Sequence, residues 1–215
     1  MLGLLPQFDR PRLAVQAGAL HIIYDRAATR WQDGISKLGF LGAYSDLMHA
    51  IPTPPQTLRV MDIGTGTGAF AHAWIGAHGT PRALTLTDIS PAMLDAAASR
   101  LTAARTITAP LGPKPETLPH QDVVLCAHVI EHLEDPDTAL RWLFDHLAPG
   151  GLLVMAISKP HWCTALVRWR WGNAAFSPDT GRRMLAAAGF TEITARPFAS
   201  GPPSRVSHGY TAKRP

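Results

Sequence analysis

Cysteine is almost missing from this chain. Cys126 and Cys163 are the only two in 215 residues, too few for a disulfide framework, and that scarcity points to a reducing compartment. No uninterrupted apolar run approaches the roughly 20 residues a membrane helix needs, and the first residues lack the charged start and apolar core of a secretion signal. The expectation is a soluble, cytoplasmic protein. Charge is also sparse: 17% of residues are charged, with Lys and Arg exceeding Asp and Glu by 20 to 16 for a net charge of +4. The basic residues are scattered rather than run together, which argues against a nucleic-acid partner. An apolar fraction of 46% excludes the disordered class. The length suits one domain with a full core.

What is present falls into two parts, an N-terminal helical extension over 1–57 and a core over 58–215. In the first, Leu13, Ala14, Ala17, Leu20, Ile23 and Tyr24 recur at spacings of three and four, the stripe of a helix. Tyr24, Trp31 and the aromatics of 38–44 make either a lid facing a substrate or plain packing against a sheet edge. Pro52-Thr53-Pro54-Pro55 closes the extension as a stiff linker.

From residue 58 strands and helices alternate, the pattern of a parallel sheet joined by right-handed crossovers. Strands are expected at 58–63, 83–87, 105–109, 122–127 and 152–157, with helices at 68–78, from Ser90-Pro91, and from Asp135-Pro136 until Pro149-Gly150-Gly151 stops it. Another helix is expected at 178–188, and 192–198 with 205–213 read as paired antiparallel strands. The fold class is therefore α/β: a Rossmann-like three-layer α/β/α sandwich with a mostly parallel seven-stranded sheet whose last strand is antiparallel.

The first strand empties into Gly64-Thr65-Gly66-Thr67-Gly68, and the second ends on Asp88. Glycines that open a helix bring bare backbone N–H groups to a ligand, and an acid closing the neighbouring strand is placed for a ribose. Gly64, Gly66 and Ala69 alone also satisfy the nicotinamide fingerprint, so an oxidoreductase is one alternative. A non-catalytic cofactor-binding partner subunit is another.

Taken together, Val60 to Gly68, Asp88-Ile89-Ser90-Pro91-Ala92-Met93-Leu94, Asp122-Val123-Val124, Glu131-His132-Leu133-Glu134-Asp135-Pro136 and Pro149-Gly150-Gly151 resemble the class I S-adenosylmethionine-dependent methyltransferases. The likeness is to the small-molecule branch that includes quinone-pathway enzymes. It implies S-adenosyl-L-methionine as cofactor, held by Asp62, Gly64, Thr65, Gly66, Gly68, Asp88, Ile89, Leu111 and Ala127. Asp62 would face the aminoacyl ammonium, a role that a pyrophosphate site would not tolerate, and Asp88 both ribose hydroxyls. Ile89 and Leu111 would flank adenine or simply pack. The acid that usually follows the third strand is replaced by Ala109-Pro110-Leu111-Gly112, which leaves adenine to backbone groups, apolar contacts or Glu116.

Methyl transfer belongs at the carboxyl ends of the strands, hence near His128 and Ser158 to Trp162. His128 is the expected general base, or else a cofactor contact; His161 is a second catalytic candidate, and Lys159 and Trp162 are candidate substrate contacts. His132 and Cys126 read as packing. His128 and His132 lack a third ligand, so no metal is expected. The Trp- and Arg-rich stretch 162–171 reads as a substrate cap, a peripheral membrane or dimer contact, or core packing. The acceptor is a small organic molecule, with oxygen or nitrogen favoured over sulfur as the methylated atom.

Overall fold

The computed structural model describes residues 31–52, 58–102, 104–111, 119–161 and 174–215. A helical turn over 31–37 leads into α1 (Phe40–His49). The core then runs β1 (Arg59–Ile63), α2 (Ala69–His78), β2 (Ala83–Asp88), α3 (Pro91–Ala98), β3 (Arg105–Thr108) and β4 (Gln121–Ala127). A short 3-10 turn (Ile130–His132) precedes α4 (Pro136–His146), β5 (Leu147–Ser158), α5 (Pro178–Ala187), β6 (Thr191–Pro197), α6 (Gly201–Val206) and β7 (Ser207–Lys213).

Three helices start by one device. Ser90, Asp135 and Ser177 each accept the backbone N–H three residues on, from Met93, Thr138 and Thr180, and each is followed by proline at the first helical position. Proline has no N–H to lose there, and its fixed φ suits the helix. These starts were legible from residue type alone.

The seven strands lie in the order β3-β2-β1-β4-β5-β7-β6, all parallel except β7, which is antiparallel to both neighbours. One face of the sheet buries Val60, Leu86, Leu125 and Val154 against α1, α2 and α3; the other buries Met61, Val124, Met155 and Tyr210 against α4 and α5. Strand alternation alone divides the two layers. Because the chain reverses its direction of sheet growth between β1 and β4, a crevice opens at their carboxyl ends.

Three boundaries depart from expectation. Helix α4 ends at His146, and Leu147 already belongs to β5, paired with Gln121. Pro149-Gly150-Gly151 therefore does not stop the helix; it sits inside a bulge, since the next pair after Gln121 and Leu147 is Val123 and Leu152. The second departure is α6, a short helix over the expected proline-containing turn, which moves the start of the last strand from 205 to Ser207. Pro202 and Pro203 in its first turn give the physical reason: proline φ is helical. The third lies in the region expected as a lid: 31–49 is helical in two pieces, broken at Gly39, whose φ is 82°. Tyr24, Glu116, Trp162 and the whole 162–171 stretch fall outside the described residues.

Candidate active site

The glycine loop turns sharply between β1 and α2. Gly64, Gly66 and Gly68 all have positive φ, and a Cβ on Gly64 would collide with Val129. Gly64 must therefore be glycine on two grounds, conformation and space.

Asp62, 1% exposed, lies at the floor. Its Oδ2 accepts from Thr65 Oγ1 at 2.7 Å and from the Ala71 N–H at 3.3 Å, whereas Oδ1 is buried with no partner. Burial pushes its pKa up to about 7; the Thr65 and Ala71 hydrogen bonds oppose the rise, and the Asp88 charge adds to it. An orphaned carboxylate oxygen is a docking point for a cation. Asp88 has its oxygens on the Gly66 N–H (2.8 Å) and the Ser90 N–H (2.9 Å). It ties the second strand to the glycine loop.

The helical turn at 31–37 reaches this loop. Thr67 Oγ1 donates to Gln32 Oε1 at 2.6 Å, and the Trp31 indole nitrogen lies 3.8 Å from where a Cβ on Gly66 would stand. Trp31, expected at the substrate, thus lies against the glycine loop. Ile89, Leu111 and Ala127 are partly buried; Leu111 packs on the α4 side of the sheet and Ala127 on the α1 side.

Across the crevice, His128 follows β4 with φ at 57°, a left-handed conformation that a non-glycine residue seldom adopts. Its Nδ1 lies 2.9 Å from Glu131 Oε1, and Ser158 donates to the same oxygen through Oγ (2.7 Å) and N–H (3.0 Å). Glu131 is 2% exposed. Burial alone would raise its pKa, but the His128 hydrogen bond and charge, the His132 charge and the Ser158 hydroxyl together bring it down to about 2. An ionised carboxylate only accepts, so Nδ1 is the donor to Glu131. Nε2 is buried without a partner. Phe40 meets the imidazole edge-on at 5.4 Å between centroids, and Tyr44 lies 6.4 Å away. Burial, then Glu131 and Asp62, push the Tyr44 hydroxyl pKa up.

Glu131 is the residue that sequence reasoning missed. In the sequence it stands only within the Glu-His-Leu motif, and the available signal is its spacing of three from His128, which a 3-10 turn converts into contact. Lys159, expected at the substrate, donates its ammonium to the Ser204 carbonyl at 2.5 Å and its N–H to that of Val206, pinning α6 against the end of β5. His161 stands three residues beyond β5, partly buried. His132 has a hydrogen-bonding or electrostatic partner of its own. Among the described residues no three His, Cys, Asp or Glu side chains group as metal ligands.

The site is thus a glycine cradle flanked by Asp62 and Asp88, with His128 on the β4 side of the sheet's switch point. A model of the methyltransferase domain family matches residues 26–195. The chain belongs to that family, among the class I S-adenosylmethionine-dependent methyltransferases. It is 35% identical over 107 residues to a ubiquinone/menaquinone biosynthesis C-methyltransferase of Laribacter hongkongensis, covering 47% of this chain and 44% of that protein. It is 34% identical over 113 residues to a ubiquinone biosynthesis O-methyltransferase of a Caulobacter species, covering 48% and 42%. The chain thus spans less than half the length of these curated relatives. In fold it is similar to a methyltransferase of Thermotoga maritima described as a possible histamine N-methyltransferase, with a TM-score of 0.69, 18% identity, and coverage of 91% of this chain and 100% of that one. None of the described helices is long and apolar enough to cross a membrane.

Proposed function

We propose that the chain moves the methyl group of S-adenosylmethionine to a small organic acceptor bearing an ionisable N–H or O–H, bound between α1 and the loops after β4 and β5. The observation that carries this reading is the Glu131–His128 pair: its Nε2 is buried, the Phe40 and Tyr44 rings lie beside the imidazole, and the next residue, Val129, stands where a Cβ on Gly64 would be. Asp62 Oδ1 suits the aminoacyl ammonium and would repel a pyrophosphate. Gly64, Gly66 and Gly68 admit the methionine portion, and Asp88 holds the ribose from the tip of β2.

The cofactor supplies the methyl as part of a sulfonium, a good leaving group in an in-line displacement. This chain's work is to hold the nucleophile in line, exclude water beneath Phe40 and Tyr44, and accept the nucleophile's proton at His128 Nε2. Glu131, held by two Ser158 donors, fixes the ring and balances the charge of the imidazolium that forms.

The test combines calorimetric titration with single-turnover methyl transfer. S-adenosylhomocysteine should bind saturably and NAD or NADP should not; the reverse result refutes the reading. His128→Ala should lower turnover by about a hundredfold or more, the usual worth of a positioned base, with homocysteine-product affinity nearly unchanged. A loss of that affinity instead would make His128 a cofactor contact.

A further inference from the structure

Ser207 opens β7 directly beside the end of β5. It is 1% exposed, and its Oγ is buried with no hydrogen-bond partner. A buried hydroxyl left bare costs the fold free energy, so such an orphan in a native structure points to a use outside the fold's own stability. Asp62 Oδ1, which suits the cofactor ammonium, and His128 Nε2, which receives the acceptor's proton, are bare in the same way. Ser207 Oγ belongs to neither task.

Strand register places this hydroxyl. Ser207 pairs with Ser158. The Lys159 N–H donates to the Val206 carbonyl at 2.8 Å, whereas the N–H and carbonyl of Ser158 turn away from β7, to Glu131 Oε1 and the Phe176 N–H. Ser158 and Ser207 are therefore a non-hydrogen-bonded pair, the kind whose side chains stand closest, about 5 Å apart on one face of the sheet. That face is the α1 side: Ala156 packs in the layer with α1, and a Cβ on Gly209, two residues beyond Ser207, would strike Leu47 of α1. Ser158 Oγ is in turn 2.7 Å from Glu131 Oε1 and 3.3 Å from His128 Nδ1. His128, Ser158 and Ser207 thus form a row across β4, β5 and β7, with Ser207 Oγ within about 10 Å of the imidazole. Glu131 occupies the middle hydroxyl, and the one at the far end is unpartnered. Phe40 and Tyr44 lie beside the imidazole, and Phe198 lies 6.3 Å from Tyr44. Nε2 and Oγ are both closed to water, so an acceptor reaches either only as the covering side chains part. Among apolar walls, a single bare hydroxyl discriminates between ligands by the group that answers it.

We infer that Ser207 determines acceptor specificity: besides the nucleophile at His128, the acceptor carries a second hydrogen-bonding group at its opposite end, which pairs with Ser207 Oγ. The inference rests on the methyltransferase reading of the same site and narrows its acceptor to a two-ended molecule. Ser207 is a positioning residue that moves neither proton nor methyl group, so its contribution lies in acceptor affinity and not in cofactor binding.

The experiment uses the full chain saturated with S-adenosylhomocysteine and titrates para-cresol against para-hydroxybenzyl alcohol, and para-ethylphenol against para-hydroxyphenethyl alcohol. The members of each pair differ only by a hydroxyl at the end away from the phenol. In at least one pair the alcohol should bind about fivefold or more tightly, the worth of one hydrogen bond to an otherwise bare buried group. Ser207→Ala should bring the two members of that pair to the same affinity. In the empty chain the same substitution should raise the melting temperature by about 1 °C or more, because it removes an unsatisfied buried hydroxyl. A hydroxyl that served only the fold would give a fall instead. Equal or absent binding in both pairs, a preference that survives in Ser207→Ala, or a lower melting temperature overturns the inference. Failure to bind S-adenosylhomocysteine at all refutes the methyltransferase reading instead, so the two failures are distinct.

Discussion

At the scale of single residues, Asp62 sets the electrostatics of the crevice floor. Its carboxyl is buried with one oxygen bare, and its pKa lies near 7 in the folded chain against 3.8 for the ordinary group. A folded pKa raised above the unfolded one means that the fold binds a proton more tightly than the unfolded chain does. The stability it contributes is full below about pH 4 and falls as pH rises toward about 7, by a few kcal/mol over the whole interval. Asp62→Asn removes the titration and keeps an acceptor for Thr65 and Ala71. Its melting temperature should exceed that of the parent at pH about 8 and match it near pH 4, the order of effect set by the same linkage. The variant should also lose most affinity for S-adenosylhomocysteine, having no charge for the ammonium; calorimetry reads both. Equal melting curves at alkaline pH would place the proton elsewhere.

At the scale of elements, the segment 31–49 joins the two halves of the site. Gln32 and Trp31 lie on the glycine loop, while Phe40 and Tyr44 on α1 cover His128. Between them Gly39 bends the chain at φ 82°, and a Cβ there would meet nothing nearer than Pro203 Cδ at 4.0 Å. The glycine is therefore required by backbone conformation and not by space. Gly39→Ala should cost about 1 kcal/mol of stability, the ordinary penalty for a left-handed alanine. Because it stiffens the joint against the very angle α1 uses, it should also weaken acceptor binding more than cofactor binding. A comparison of the KM for each substrate measures the difference, and equal changes would mean the joint is passive.

On the scale of the whole molecule, the antiparallel β7 locks the second half of the sheet. It lies between β5 and β6, and the residue after it, Arg214, sends Nη1 to the carbonyls of Phe144 (3.1 Å), Asp145 (3.0 Å) and Leu147 (2.6 Å). A cation on the last carbonyls of a helix satisfies orphan acceptors and opposes the helix dipole. Its guanidinium also lies 4.8 Å from the Phe144 ring centre. Arg214→Ala should lower stability by roughly 1–2 kcal/mol and leave S-adenosylhomocysteine affinity unchanged, since the cofactor ends of the strands are remote from it. Chemical denaturation with a parallel titration checks both.

Much of this architecture was determined by local sequence. Apolar strands ending at Ile63 and Asp88, the glycines that follow, and the Ser-Pro and Asp-Pro helix starts are decided within a few residues, because backbone φ, missing N–H groups and side-chain caps act over one turn of chain. So is the alternation that makes the sheet parallel. Other features needed the tertiary structure. Residue type marked His128, but only packing turned its Nε2 inward, and only the 3-10 turn with Ser158, 27 residues further on, brought Glu131 to its Nδ1. Lys159 read as a loop-mouth cation until α6 folded against β5 and claimed it. The Pro-Gly-Gly that read as a helix stop became a strand bulge because the register of β4 and β5 left room for extra residues. Local rules fix which conformations a segment can adopt, whereas burial of a charge and the partner it finds depend on segments distant in the chain, which no short window of sequence contains.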